Sequence, residues 1–468
     1  MKDPTILLAR ARVISDTSEV ASYIPVLVSE SGVIEPVMDY MLSRVHDRSI
    51  SWMLKVCRSI KLFLEYVAAS SGVVRPEDIF KNFVSRLYTG TFDLEIGLDR
   101  SNLCWAPRSP AAAGGVVVNV SDFLDWLSTY LGKEVYSLNP RYNGGKYDNL
   151  IFEAAYRHRR ESAFLGHVWE QKNKEVGRLI RPERSVKVSE YSPPAFPDER
   201  FLELIFKGFN VRGRMDYRNS LITLLLHGAG FRESEPFHLY VDDVMPSPLD
   251  GRYALVKIHH PSHGEAPQSY ILRKKTSGKK INRTFYLNCE YGLNPRTKLL
   301  DVRRAGWKGG MHDGPFYKVA HWFTPEYGEI FLDLWWKYLE QISCVERKHP
   351  FAFINLARDP IGGMYSISQY RKAHSAACER IGLKVSKGNG TTPHGHRHAY
   401  GLRLSRAGVE REYIRRFMHH SCLESQEVYT QPSMDDLVKV LRSAVENLSS
   451  SVRGRYERNE EERGQEIE

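Results

Sequence analysis

Apolar positions along this 468-residue chain recur mostly three and four apart, the period of an α-helix buried on one side. Ile50, Met53, Leu54, Cys57, Ile60, Leu64 and Val67 predict a helix from Ser49 to the stop at Gly72, with Lys55, Arg58 and Lys61 outside. Residues 76–88 and 121–131 predict two more, joined by a Pro-, Ala- and Gly-rich loop over 107–115. Ahead of them lie a strand-like run over 24–28 and a helix after Pro36. Further on, residues 220–228 read as a buried helix, and 330–342 and 366–381 as helices, the first with Trp335 and Trp336 in the core. Strand-like patterns cover 253–258 and 270–287, the second a hairpin turning at Ser277 and Gly278. The balance predicts a mainly α chain with a small antiparallel β-sheet.

Length sets room for two or three domains, each with its own core. The chain is 42% hydrophobic and 26% charged, ordinary for a globular protein. Its formal charge of +10 is less ordinary and favours a polyanionic partner. That charge concentrates in a basic, aromatic stretch over 142–187, with Arg157, Arg159 and Arg160. A solvated helix face and contact with a phosphate backbone both explain such a stretch. Three prolines within 193–197 make a spacer, and Asp198 opens a new apolar helix. The six cysteines are scattered without a C-x-x-C pair, which suggests reduced thiols and no zinc frame. His259 and His263 have a possible metal spacing but no third ligand nearby, so no metal is expected. With no apolar run of signal or membrane-spanning length, the expectation is a cytoplasmic protein.

The densest chemistry lies in TTPHGHRHAYGLRLSRAGVEREYIRRFMHHSCLESQEVY, from Thr391 to Tyr429. Thr392 and Pro393 are start signals for a helix that carries His394 and Arg397 on one face of its first turn, where an anion is favoured. Gly408 ends it, a second helix is expected over 409–418, and Ser421 with Glu424 forms a capping box for a third that carries Tyr429. H-x-x-R, a His 23 residues after that Arg, and a Tyr nine residues later resemble the signature of the tyrosine recombinases, the phage-integrase family. Those residues are His394, Arg397, His420 and Tyr429. The family's earlier Arg matches Arg232 in GFRESE, with Glu235 three residues on, and its hairpin Lys matches Lys275. Two positions depart from the pattern: His419 stands where Gly is usual, and His396 replaces an apolar residue.

The resemblance implies a helical core-binding domain followed by a tyrosine-recombinase catalytic domain. In that reading residues 1–45 form an amino-terminal extension, 46–190 the core DNA-binding domain with its basic linker, 191–449 the catalytic domain, and 450–468 a charged tail too polar to fold. Residues 294–325 match no part of the pattern and read as an inserted surface loop, and 433–448 as a last helix that either finishes the core or packs on a neighbouring protomer.

A tyrosine needs a pocket that positions it and neutralises the phosphate. Arg232 and Arg397 would grip the non-bridging oxygens, with Glu235 holding the Arg232 fork. His420 would donate to the phosphate, His394 would accept the Tyr429 proton, and Lys275 would protonate the leaving 5′ oxygen. The product is a 3′-phosphotyrosyl link, so rejoining needs no cofactor, ATP or metal. Lys55, Arg58, Lys61, Arg157, Arg159, Arg160, Lys274 and Lys279 are candidate DNA-backbone contacts. The partner implied is double-stranded DNA at attachment sites in a bacterial nucleoid, bound by a homo-tetramer with or without accessory proteins. A topoisomerase IB-like enzyme and a non-cleaving DNA-binding regulator are the alternatives.

Overall fold

The computed structural model describes residues 6–14, 21–70, 74–75, 78–93, 97–132, 138–142, 145–147, 150, 153–154, 156–158, 177–183, 194–249, 251–274 and 281–421. The chain divides into two compact units, Met1–Lys187 and Val188–Glu468. Both are mainly helical with small antiparallel sheets. No helix among the described residues is long and apolar enough to cross a membrane.

The first unit opens with strands β1 (Ile6–Ile14), β2 (Ala21–Ser29) and β3 (Gly32–Val33), β2 lying in the middle. Only β2 is legible as a strand in the sequence. β1 alternates apolar and arginine positions and pairs antiparallel with β2, Leu8 opposite Leu27. Helix α1 (Glu35–Ser43) and the long α2 (Ile50–Ser70) bury Val37, Tyr40, Met53, Val56, Cys57 and Ile60 against this sheet. Lys55 and Arg58 stay exposed, and Lys61 lies 3.5 Å from Glu65 one turn on. Helices α3 (Ile79–Thr89) and α4 (Pro110–Tyr130) build a second core around Phe63, Phe80 and Phe83.

α4 corrects the loop expected over 107–115. Ser109 caps it, Pro110 fits its first position, and the two glycines are helical. At Gly114 a Cβ would come within 3.2 Å of Pro182, so the missing side chain serves close packing. Strands β4 (Arg141–Tyr142) and β5 (Gly177–Arg178) close the unit, Arg178 bridging Asp122 and Asp125 at 2.8 and 2.9 Å.

In the second unit, the helical stretch expected from Asp198 runs unbroken over 198–208, passing from 3-10 through α to π geometry, and leads into the β6 (Asn210–Val211) and β7 (Arg214–Met215) hairpin and then helix α5 (Tyr217–Gly228). Every residue of α5 after Tyr217 is buried, which puts it at the centre of the core with Phe201, Phe331, Trp335 and Tyr338 around it. Strands β8 (Val244–Pro246), β9 (Ala254–His259) and β10 (Tyr317–Val319) form an antiparallel sheet in the order β10-β9-β8. β9 alternates, with Ala254, Val256 and Ile258 inward. Residues 260–316 connect β9 to β10.

That connection overturns two expectations. The described residues on either side of the expected hairpin turn are helical and not strands: α6 (Gln268–Arg273) and α7 (Arg283–Tyr291) lie there. Asn282 caps α7 by accepting the Phe285 N–H at 2.9 Å, and Gly292 ends it in the left-handed region. Tyr270, Tyr286 and Leu287 are buried with Tyr240 and Phe351. Nor is 294–325 a plain surface loop. Arg296 is fully buried, donating to the carbonyls of Phe237, Arg303 and Tyr365, and β10 falls inside the segment.

Helices α8 (Pro325–Ile342) and α9 (Ile367–Arg380) come next, with Trp335 buried and Trp336 half exposed. α10 (Pro393–Arg406) carries the H-x-x-R segment, and α11 (Arg411–Phe417) leads toward His419 and His420. Thr392 stands at the α10 cap position with no side-chain cap hydrogen bond. The segment carrying Glu424, Tyr429 and the last expected helix lies outside the described residues, as do Arg159, Arg160, Lys275, the Ser277 and Gly278 turn, and Lys279.

Candidate functional site

The site is built where α5 and α11 end and α10 begins. The chain leaves α5 through Gly230, whose φ is +68° and where a Cβ would stand 2.3 Å from the Tyr400 ring, so only glycine fits. Two residues on, Arg232 turns back on Glu235. Its backbone N–H donates to Glu235 Oε2 at 2.8 Å and its Nη1 to Oε1 at 3.1 Å. Glu235 is fully buried and no exposed charge.

Lys318 reaches the same carboxylate, Nζ to Oε1 at 2.6 Å. It sits on β10 opposite Ile258, an inward register position where an apolar side chain is the ordinary occupant. Burial alone would push the Glu235 carboxyl up. Lys318, Arg232 and Arg397 outweigh it and hold it at about 2. Burial lowers the Lys318 ammonium, with Glu235 opposing.

Arg397, in the first turns of α10, is almost wholly buried. Its Nη1 donates to the Gly230 carbonyl and its Nη2 to the Met418 carbonyl at 2.6 Å. One guanidinium thus ties the exit of α5 to the end of α11. Just past Met418 the two histidines part. His419, at φ +52°, turns its Nε2 to Asp313 at 2.8 Å, while His420 lies in the field of Arg397, Arg232 and Lys308. Burial first, then those cations, push the His420 imidazole down to about 3, so it is neutral near pH 7. His394 keeps one side open to solvent, its ring 4.4 Å from that of His398, while the protein packed around the rest of it, and then Arg397, lower its imidazole.

Lys308 and Asp313 belong to residues 306–314, the glycine-rich part of the expected surface loop. A Cβ on Gly310 would stand 2.2 Å from the His419 carbonyl oxygen and 3.7 Å from Arg232 Nη1, so this loop lies against the site. Lys308 is exposed and acts on both His394 and His420. Arg415 Nε lies 3.3 Å from Met311 Sδ. Sequence reasoning missed Lys308, Asp313 and Lys318. A run of GWKGGMHDG without hydrophobic period was the one signal that this segment had a task beyond packing.

His396, the unusual residue between His394 and Arg397, faces away from this cluster into a buried chain of imidazoles. Arg403 can only donate, so His227 Nε2, 2.6 Å from it, accepts. His227 Nδ1–H then donates to His396 Nδ1 at 3.1 Å, and His396 Nε2–H to His374 Nε2 at 2.7 Å. All three are fully buried, and their rings pack on Phe196 and Phe201.

The structure therefore brings together Arg232, Glu235, His394, Arg397 and His420, and adds Lys308 and Lys318. Of the DNA-contact candidates, Arg157 is exposed beside Glu153, and Lys274 lies 3.4 Å from Glu290. A separate cavity of about 760 Å³, lined by Tyr253, Trp322, Phe323, Tyr400, Leu404 and Phe417 among others, includes none of the site's arginines or lysines.

No family model matches the sequence, and no curated protein matches it. Solved structures do. The chain is structurally similar to site-specific recombinases and integrases. XerH site-specific recombinase bound to difH substrate, a pre-cleavage complex, is 12% identical with a TM-score of 0.45, over 84% of this chain and 81% of that one. A lambda integrase dimer bound to a COC′ core site is 12% identical with a TM-score of 0.41, over 85% and 95%. A transposon integrase in complex with transposon right-end DNA is 13% identical with a TM-score of 0.34, over 84% and 99%.

Proposed function

We propose that this chain is a tyrosine-type site-specific DNA recombinase that cleaves and rejoins DNA through a 3′-phosphotyrosyl link. The observation that carries the reading is the placement of two arginines 165 residues apart in sequence, Arg232 held on Glu235 and Arg397 held between the Gly230 and Met418 carbonyls, both acting on Glu235, His394 and His420. Such a set is suited to a phosphodiester, whose two non-bridging oxygens gain charge in the pentavalent transition state. Glu235 and Lys318 would set the Arg232 fork before substrate arrives, which saves reorganisation during reaction.

Tyr429 is the proposed nucleophile, His394 the acceptor of its proton, and His420 a donor to the phosphate. The leaving 5′ oxygen needs an acid. Lys275 has the sequence argument, and Lys308 has the position, being exposed and within the field of both histidines. The bond energy is kept in the phosphotyrosyl link, so none of these steps requires ATP or a metal. Double-stranded DNA attachment sites, a tetrameric synapse and a cytoplasmic setting belong to the same proposal.

The test is an SDS-resistant adduct between the full chain and DNA from the region flanking its own gene. Wild type should form it and Tyr429→Phe should not. An adduct persisting in Tyr429→Phe would move the nucleophile elsewhere, Tyr413 being exposed at α11. Tight, specific binding without any adduct would favour a non-cleaving regulator.

A further inference from the structure

Three side chains beside the arginine cluster meet at one point. Asp313 Oδ1 lies 2.9 Å from His321 Nε2, and Asp313 Oδ2 lies 2.8 Å from His419 Nε2. The ligand atoms of the three all fall within 4.8 Å of one another. They come from the 306–314 loop, from the turn after β10 and from the end of α11, so no local pattern makes them neighbours. His419 is fully buried, the Asp313 side chain is 9% exposed, and His321 at 30% leaves one side open to solvent.

We propose that Asp313, His321 and His419 form a binding site for one divalent transition-metal ion, with zinc the best match to the donors. Two imidazole nitrogens and a carboxylate suit a borderline ion, whereas magnesium and calcium take shells of oxygen. Donors about 2.0–2.2 Å from one ion at the tetrahedral angle stand about 3.3–3.6 Å apart. The 2.9 and 2.8 Å contacts on the two sides of Asp313 therefore need open by only about half an ångström to admit it. The Val319 backbone N–H donates to Asp313 Oδ2 at 2.7 Å and fixes the carboxylate from outside the trio, as supporting contacts of metal ligands do. The Tyr400 hydroxyl likewise donates to the His321 carbonyl at 2.8 Å. Water entering beside His321 would complete the shell.

Such an ion would hold the 306–314 loop to the residue before His420 and so fix where Lys308 and Gly310 sit. It takes no part in the strand-transfer steps proposed above. The inference also stands apart from them, because it is read on metal binding alone.

The experiment uses the full chain without a polyhistidine tag, stripped with chelator, reloaded with Zn²⁺ or Co²⁺ and passed through gel filtration before elemental analysis. One ion per chain is expected. His321→Ala should weaken binding by at least the roughly 10–100-fold seen when a mere supporting contact is lost. His321→Cys should retain the ion and give the Co²⁺ form a near-ultraviolet sulfur-to-metal absorption that wild type lacks, a signature no folding defect produces. His263→Ala removes a member of the other histidine group, whose ring stacks on His260 at 4.8 Å, and should change nothing. No retained ion, equal affinity in His321→Ala, or loss of the ion in His263→Ala would each overturn the site and leave the trio as a carboxylate bonded to two imidazoles.

Discussion

The Lys318 ammonium lies 2.6 Å from Glu235 Oε1, and both side chains are wholly buried. A buried pair is a poor source of net stability, because both charges must leave water, but removing one member strands the other. Glu235→Gln leaves a buried ammonium without a counter-charge and frees the Arg232 fork. It should cost about 3–5 kcal/mol in denaturant unfolding and also slow cleavage. Lys318→Met should cost less, since Glu235 keeps the Arg232 side chain and N–H. Equal losses in the two variants would mean that Lys318 and not Arg232 carries the neutralisation of Glu235.

The glycine pair in the loop offers a sharper test of site geometry. A Cβ at Gly310 would meet the His419 carbonyl at 2.2 Å, whereas one at Gly309 meets nothing within 4 Å. Gly310→Ala should push the loop off the site and lower adduct formation by at least about tenfold, since small misplacements at a reacting centre are costly. Gly309→Ala should behave as wild type. Unchanged adduct formation in Gly310→Ala would remove the loop from the active arrangement.

Helix α2, the face shared by His394 and Arg397, and the approach of α5 to Arg232 are legible in the sequence because they depend on local spacing, which the chain carries openly. α4 reads short because Gly114 and Gly115 look like loop residues until Pro182 is seen packed on one of them. Lys318 is hidden because a lysine on a strand is read as outward, and only its register opposite Ile258 turns it in. Asp313 and His419 are 106 residues apart, and no periodicity announces such a meeting. Tyr429 and Lys275 lie outside the described residues, so their roles rest on the family resemblance, and adduct formation and thiol rescue in their variants test them.

Acid should unfold this protein more readily than its carboxylates alone would suggest. Burial lowers His238, His259, His374 and His420 to about 3. In the unfolded chain each titrates near 6.5. Between those values the unfolded state binds more protons, so stability rises with pH through the window and is lost as pH falls from about 6.5 toward 3. The slope is up to roughly 1.4 kcal/mol per pH unit for each such histidine. The urea midpoint should therefore fall steadily from pH 7 to pH 5. His374→Gln should be less stable at pH 7, having broken its bond to His396, but should show a shallower pH dependence. A midpoint flat over that range would mean the imidazole chain is solvated.

The identity of the acid separates the two lysine readings. A general acid contributes about 10²- to 10⁴-fold to the rate, and a 5′-thiol leaving group, which departs without protonation, makes it dispensable. If Lys308 is the acid, Lys308→Ala should slow cleavage by that range on an ordinary phosphodiester and regain near wild-type rates on a 5′-thio substrate. Lys275→Ala would then lose little, or lose DNA affinity alone. The opposite pattern would return the role to Lys275 and leave Lys308 as a charge that lowers the two histidines. The discrimination extends to pH. Lys308 acts on His394 and His420 in the direction that lowers both, so its removal should move the onset of acid inhibition to higher pH even on the thiol substrate. Rescue without that movement would show that Lys308 delivers its proton from farther away than its effect on the histidines implies.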